Sequence, residues 1–491
     1  MGLGLMLRNQ WHLAAFFLLV LGGKLLLISY YGAAIPFWDQ WDAEALNLYR
    51  PYLEGTLAFG DLFATHNEHR LFTARLFLLA LLELNGRIWD PVLQMQVNAV
   101  LHVIVLLVIL RFLGKGLTDS SRYFLSLFAA IVYLVPFGWE NSLMGIQSLF
   151  YLLLLFSLLC LWLTVTHPVF GMRWWLGMLS GLVACLTLAS GVVALLAGVV
   201  VLLLRRLLAP NGGRFPFLAV LLPLLLVAAV VYFTPTIPGH AALKAHSPGQ
   251  FLGAFLAVAA WPGQYFPFLV IQLPFLLFVG LFLRGKLMRS ESQWFLLALG
   301  VWLFGQYALL AYGRATGHDA SRYLDFFSIG LLLNAACAAV LFRHFSERSI
   351  SRRRLALAAW LVVVAIGLSV EAPGMLRALA EKRDGSLASE VNTRAYVVTR
   401  DYSHLLDKPF LHVPYPDSAR LKAILDQPTI RAILPANINP ENSGKAATPL
   451  KQVSTLLDAG APFLLLLGAL GFAYSARLTW ISSAARAPGL K

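Results

Sequence analysis

Residues 173–206 read RWWLGMLSGLVACLTLASGVVALLAGVVVLLLRR, an apolar run closed by arginine at both ends. At 1.5 Å per helical residue, the stretch from Trp174 to Leu208 is too long for one membrane crossing and short for two. Charge resolves the ambiguity. Arg173 precedes the run, Arg205, Arg206 and Arg214 follow it, and basic loop residues favour the cytoplasmic side of a bilayer. Both ends then share one side, and the run is expected to fold as a tight hairpin that breaks at Ser190–Gly191.

The rest of the chain reads the same way. Of 491 residues, 59% are hydrophobic and 13% charged, and the mean hydropathy is +0.72. A soluble domain carries roughly 25% charged residues, so lipid is the solvent for most of this chain. Backbone polar groups in lipid must be satisfied internally, which leaves helices or closed barrels. Apolar runs of about 17–22 residues without alternation select helices. A net charge of +14 would suggest nucleic acid as the partner of a soluble protein. Here the basic residues cluster in short loops between apolar runs, and no nucleic-acid partner is expected. Cys160, Cys185 and Cys337 fall inside apolar runs and are expected as buried, unpaired thiols. The first run, Trp11–Tyr31, lacks a small-residue cleavage site and is expected as a retained span.

The expected fold is an all-α polytopic membrane protein of about twelve transmembrane helices, at 11–31, 92–110, 122–138, 146–166, 175–190, 191–208, 215–234, 263–283, 294–312, 323–342, 355–371 and 461–480. The segments on the arginine side of the hairpin hold Arg8, Arg111, Lys115, Arg122, Arg173, Arg205, Arg206, Arg214, Arg284, Lys286, Arg289, Arg343, Arg348, Arg352, Arg353, Arg354, Arg477, Arg486 and Lys491, against the acids Asp119, Glu291 and Glu347. That bias puts both termini in the cytoplasm and the chain in the cell (inner) membrane. The expected domains are a transmembrane domain, 1–371, with an outer loop at 32–91; a small extramembrane (periplasmic or extracellular) domain, 372–458; and a last span with its cytoplasmic tail, 459–491. Leu71–Leu84 carries Arg75 and Glu83 and is only about fourteen residues long, so it is expected as a juxtamembrane helix in the outer interface. In the extramembrane segment, Asp417 is placed to cap a helix over Ser418–Asp426, and Pro428 to open another.

Polar chemistry gathers on the expected outer face. The first loop opens with Pro36-Phe37-Trp38-Asp39-Gln40-Trp41-Asp42-Ala43-Glu44. Its three carboxylates, Asp39, Asp42 and Glu44, are candidate catalytic residues, because an acid beside large rings at a membrane surface loses hydration and gains basicity. The bland reading is an aromatic belt with solvated acids beside it. An amphipathic helix is expected over Ala43–Ala58, with Leu46, Tyr49, Leu53 and Leu57 along one face. Next come Thr65-His66-Asn67-Glu68-His69-Arg70. Three readings stay open for this segment: a metal site completed from elsewhere, hydrogen bonding to sugar or phosphate with Arg70 as the clamp, or a polar helix start without chemistry. Between two later spans lie Arg314, His318, Asp319, Arg322 and Tyr323. Arginines on the outer side oppose the orientation rule, which suggests an anionic partner or a salt bridge to an acid of the first loop. Trp139-Glu140-Asn141 with Gln147, and His240, Lys244 and His246, are weaker candidates for the same region. Lys24, in the middle of the first span, stays unassigned.

A first span, an outer loop opening with Asp39, Asp42 and Glu44, juxtamembrane helices, further spans and a late extramembrane segment together resemble the GT-C superfamily of integral membrane glycosyltransferases, which includes the aminoarabinose and protein O-mannosyl transferases. Arg322–Tyr323 and the Gly313-Arg314-Ala315-Thr316-Gly317-His318 loop look like the donor-phosphate contacts of such enzymes. The Trp38–Asp42 and His66–Arg70 segments also look like a group of bacterial multi-span proteins of unassigned activity. The resemblance implies inverting transfer of a sugar from a polyprenyl-phosphate donor to a lipid, glycan or protein acceptor. It implies Asp42 or Asp39 as the base, and Arg322 with Arg314 or Arg70 stabilising the departing phosphate. No cofactor is required by the residues; a divalent cation would fit the chemistry, but no ligand set compels one. The competing classes are a transporter or flippase of lipid-linked sugars, an outer-face polysaccharide polymerase or ligase, and a non-catalytic scaffold.

Overall fold

The computed structural model describes residues 10–208, 216–263, 268–346, 349–445 and 448–484. Arg8, Arg214, Glu347, Arg348, Arg486 and Lys491 lie outside the described residues. All regular structure among the described residues is helical. In chain order the α-helices of six or more residues are α1 (Trp11–Tyr31), α2 (Phe72–Leu84), α3 (Pro91–Leu113), α4 (Asp119–Leu134), α5 (Ser148–Thr166), α6 (Met172–Thr187), α7 (Val192–Leu208), α8 (Phe217–Tyr232), α9 (Pro248–Ala260), α10 (Phe268–Leu283), α11 (Glu291–Gly313), α12 (Leu324–His344), α13 (Ile350–Thr399), α14 (Ser418–Leu425), α15 (Pro428–Ile433) and α16 (Pro449–Ala484).

Eight helical stretches among the described residues are long and apolar enough to cross a membrane: Trp11–Tyr31, Pro91–Leu113, Gly145–Thr166, Ala189–Leu208, Glu291–Gly313, Ser321–His344, Ile350–Thr399 and Pro449–Thr479. Four further runs expected as spans form α4, α6, α8 and α10, each of 16 residues. Such a helix is about 24 Å long, short of a hydrocarbon core of about 30 Å. The apolar run from Trp174 to Leu208 does break near Ser190, where a short turn over Ala189–Gly191 separates α6 from α7. Helix α9 is an addition, started by Ser247, whose side chain accepts from the Gln250 N–H, and by Pro248 in its first turn.

One other expectation is corrected. The helix expected over Ala43–Ala58 ends at Leu53, and its first part, Trp41–Tyr49, is a π-helix whose wider turn is closed by Arg50 N–H on the Ala45 carbonyl. The domain boundary at 371/372 falls inside α13, an unbroken helix of 50 residues, and the one at 458/459 falls inside α16. Asp417 does cap α14, accepting from the Arg420 N–H.

Contacts between loops sort the chain ends of the helices onto two faces. On one, Arg111 reaches Gln10, Arg205 pairs with Glu291 at 2.8 Å, Arg289 reaches the Leu208 carbonyl and Arg343 the Gly116 carbonyl. This is the basic face. On the other, the Trp38 N–H donates to the Pro414 carbonyl and the Trp89 N–H to the Ile433 carbonyl. That face, which joins loop 32–91 to the segment after α13, is the site face.

Inside lipid no hydrophobic effect drives helices together, so close packing and small residues must do it. The most extensive helix pair is α1 with α16, which run antiparallel: Gly22 lies against Ala461 and Leu465, Gly468 against Leu19, and Gly471 against Ala15. A Cβ on Gly22 would stand 2.5 Å from the Leu465 backbone nitrogen. This crossing staples the two ends of the chain together. Gly468→Val is therefore expected to cost about 1–3 kcal/mol, seen as a lower melting temperature in detergent. Gly460→Ala in the same helix, where no atom lies within 4 Å of the new Cβ, should be neutral or mildly stabilising. A Gly468→Val protein as stable as wild type would remove the staple.

Candidate functional site

The site face encloses a cavity of about 990 Å³, at the upper end of the roughly 300–1,000 Å³ typical of small-molecule sites. Its walls come from distant parts of the sequence. Loop 32–91 supplies Phe37, Trp38, Asp39 and His66–His69; the segment before α5 supplies Glu140 and Gln147; the segment after α8 supplies His240 and Lys244; the connection between α11 and α12 supplies Arg314, Arg322 and Tyr323. The deeper part is apolar, with Leu149, Phe150, Val192, Phe326 and Phe327.

Arg75 explains why loop 61–70 adopts its shape. Its Nη1 lies 2.5–3.2 Å from the carbonyl oxygens of Asp61, Leu62, Ala64 and Arg70, so one buried guanidinium gathers a loop whose carbonyls would otherwise lack donors. Beyond it, His66 and His69 exchange both backbone hydrogen bonds, at 2.7 and 3.0 Å, across a tight turn. The segment is therefore a turn and not the short helix considered from the sequence. Asn67 takes φ +51° there, which asparagine tolerates better than most residues. Trp38 at φ +52° and Leu71 at φ +53° also line the cavity. For bulky residues that conformation is strained, and such strain gathers at functional sites.

Charges in the cavity are arranged in pairs. Glu68 accepts from His240 Nδ1 at 2.5 Å and lies 3.6 Å from Arg314. Burial raises the Glu68 carboxyl, but His240 and Arg314 outweigh it and hold the group below the usual range. Glu140 accepts from the Ser321 hydroxyl and the Arg322 N–H at 3.0 Å each, with the Arg322 guanidinium 3.6 Å away. Asp39 differs. It pairs with no lysine or arginine among the described residues, its side chain is 48% exposed, and its nearest ionic neighbour is His66 Nε2 at 4.0 Å. Burial lowers His66 despite the opposing charges of Asp39 and Asp42. His69, pushed by burial down to about 4, accepts from the Ala189 N–H at its Nδ1 and is neutral at pH 7.

Of the candidates read from the sequence, Asp39, His66, Asn67, Glu68, His69, Arg314, Arg322 and Tyr323 border this one cavity. Asp42, Glu44, Arg70, His318 and Asp319 do not. Asp42 is tied to Arg420 Nη2 and to the Tyr415 hydroxyl, both at 2.5 Å, which fastens loop 32–91 to α14 and to the segment before it. Glu44 is fully buried and accepts from Gln40, Tyr49, Trp89 and Gln94. Burial pushes it up to about 7 against those four donors. Arg70 donates to the Phe63 and Phe233 carbonyls, and His318 Nδ1 lies 2.9 Å from the Ala315 carbonyl. Among the described residues no group of three or more His, Cys, Asp or Glu is arranged to hold a metal ion.

One residue escaped the sequence reading, and another, left unassigned there, gains a setting. Lys382, on α13, lines the cavity with its Nζ 4.1 Å from the Phe37 ring centre and 2.5 Å from Ser386 Oγ. No carboxylate pairs with it among the described residues, and nothing in its local sequence marks it. Lys24 has a buried setting behind the cavity, where its Nζ donates to Ser142 Oγ and it interacts electrostatically with Asp325. Asn141 joins that pocket to the site by donating to both Asp325 Oδ2 and the Arg322 carbonyl at 2.8 Å.

The partly buried His69 makes an acid-sensitive element. Its pKa is about 4 in the folded chain against 6.5 ordinarily, so between those values the unfolded chain binds the extra proton. Stability therefore falls as pH drops through that window, by about 3 kcal/mol in all. Thermal melts in detergent should show wild type losing more stability than His69→Gln between about pH 7 and about pH 5. Equal losses would clear His69 of that role.

Compared with known proteins, the chain matches no family model, no curated protein sequence and no solved structure.

Proposed function

We propose that this chain is an integral membrane glycosyltransferase of the inverting type that takes a sugar from a polyprenyl-phosphate donor. The observation that carries the reading is Asp39, a carboxylate without a cationic partner, facing one cavity together with Arg314, Arg322 and Lys382. Asp39 accepts the proton of an acceptor hydroxyl or amine as that atom attacks the anomeric carbon. The bond from that carbon to the phosphate oxygen breaks on the opposite side, and its electron pair leaves with the lipid phosphate. Arg322 and Lys382 stabilise the charge that develops there. Asp42 and Glu44 act at a distance in this scheme, because their own partners hold the loop that presents Asp39. No nucleotide takes part, and the lipid, glycan or protein acceptor is left open.

The same reading carries a topology. The site face is the outer face, the basic face is cytoplasmic together with both termini, and the chain sits in the cell membrane. The four 16-residue helices complete twelve crossings by local thinning of the bilayer. A second reading, movement of a lipid-linked sugar across the membrane, draws on Lys24 and Asp325, since ionisable groups buried within a helical bundle often mark a transport path.

A product assay with a radiolabelled polyprenyl-phosphate sugar decides between them. Asp39→Asn should lower transfer by about 10²–10⁴-fold with donor binding retained. Asp42→Asn should act less, through a looser loop. If wild type transfers nothing, while proteoliposomes move the donor equally well with and without Asp39, the enzyme reading fails and transport takes its place.

A further inference from the structure

Next to Asp39 the cavity wall turns aromatic. Phe37, Trp38 and Phe410 line it there, with the Trp38 ring centre 5.8 Å from each of the other two. Phe410 borders the cavity while keeping 71% of its surface accessible. The turn that carries it is held from three sides. The Trp38 N–H donates to the Pro414 carbonyl at 2.8 Å, Asn392 Nδ2 donates to the His412 carbonyl at 2.9 Å, and Leu411 lies on Gly385 of α13. A Cβ on Gly385 would stand 2.5 Å from the Leu411 Cβ, so glycine is what lets this turn close on the helix. Trp38 takes φ +52°, and Leu411, directly after Phe410, takes φ +70°. Strained backbone of this kind gathers at functional sites.

Polar groups without partners rim the rings. On α13, Ala378, Glu381 and Lys382 line the cavity at the i, i+3, i+4 spacing of one helix face. Lys382 Nζ, 4.1 Å from the Phe37 ring centre, sets that face beside the aromatic wall. The exposed Glu381 carboxylate has no hydrogen bond or ion pair among the described residues. His66 Nε2 is buried without a hydrogen-bond partner, 4.0 Å from Asp39 Oδ1. A hydroxyl oxygen about 2.8 Å from each of those two atoms fits between them.

We propose that the acceptor is a glycan whose terminal pyranose stacks on Trp38 and Phe410, with one hydroxyl between His66 and Asp39 and another on Glu381. This rests on the transfer reaction proposed above and names its acceptor. A pyranose has an apolar C–H face and a rim of hydroxyls, which matches rings surrounded by free polar groups. The negative face of an aromatic ring attracts those C–H groups. An alkyl chain in the same place would leave His66 Nε2 and Glu381 unpartnered. A peptide brings backbone groups that pair best with a strand edge, and the described residues contain no strand.

Oxygen suits the seat better than nitrogen. The Asp39 charge favours the imidazole tautomer with its proton on Nε2. A hydroxyl accepts from that N–H with one lone pair, points its proton at Asp39 and keeps its second pair for attack; a neutral amine has a single pair. In the step, the hydroxyl oxygen bonds to the anomeric carbon and its proton passes to Asp39. The bond from that carbon to the phosphate oxygen breaks, with its electron pair on the phosphate.

The test places neutral oligosaccharides, serine- and threonine-containing peptides and glycerolipids on one array and applies full-length protein in nanodiscs. Wild type should bind oligosaccharides above the other two classes. Against the best-bound oligosaccharide, Phe410→Ala and Glu381→Ala should each weaken affinity by about three- to tenfold. Phe59→Ala, which removes an equally exposed ring outside the cavity, should leave it within about twofold. Preference for a peptide or a glycerolipid, or unchanged affinity in both cavity variants, overturns the glycan site. Donor binding is measured separately with a radiolabelled polyprenyl-phosphate sugar. Donor binding without oligosaccharide binding overturns the glycan site and leaves the donor class standing. Oligosaccharide binding that depends on Phe410 and Glu381, without donor binding, overturns the transfer reaction and leaves the glycan site standing. Where both bind, linkage analysis of the product should place the new bond on oxygen, and a bond to nitrogen overturns the hydroxyl seat between His66 and Asp39.

Discussion

Water is absent as a partner for most of this chain, so a polar group that leaves the surface must be matched inside the protein. Glu44 meets that constraint in full. Its oxygens collect donors from Gln40, Tyr49, Trp89 and Gln94, and Tyr49 lies five residues on in the same helix. An α-turn brings i+4 alongside i; the wider π-turn over Trp41–Tyr49 brings i+5. The widened turn and the fit around the carboxylate thus belong together, and they fix the direction in which the preceding residues emerge. Asp39 stands immediately before that turn, on the side of the cavity. The buried acid sets the geometry and the exposed acid is left free to act.

Part of this was legible in the sequence. Charge at the ends of an apolar run located the break between α6 and α7, because that signal is local. Asp417 announced the start of α14 for the same reason. The roles of the three acids were not legible. Asp39, Asp42 and Glu44 look alike over six residues, and only partners far along the chain distinguish them: Gln94 and Trp89 for Glu44, Arg420 and Tyr415 for Asp42. Lys382 carries no local mark, since its place in the cavity depends on how far α13 runs past the membrane. The His66–His69 turn was hidden because two histidines three apart suit a helix equally well, and the choice was made by Arg75 gathering the carbonyls around it.

The cavity's arginines are already partnered. Glu68 holds Arg314, and Glu140 holds Arg322 by its backbone as well as its side chain. Such pairs keep a guanidinium oriented before any ligand arrives, which lowers the ordering cost of binding. In the function proposed above, an incoming phosphate shares the donors of a preset fork, and Lys382, which pairs with no carboxylate among the described residues, supplies uncompensated charge to draw it in. Orientation and attraction are thus assigned to different residues.

Helix α13 extends these relations along the chain. It is 50 residues long with Pro373 in its interior, about 75 Å of continuous rod. Proline removes one rung of the hydrogen-bond ladder and so provides a natural pivot. Lys382 lies nine residues past that pivot, a lever arm of about 13 Å, and the segment capped by α14 loads the far end. Any change of angle at Pro373 would shift Lys382 relative to Arg322. The rod thus couples the lining of the cavity to the segment that carries α14.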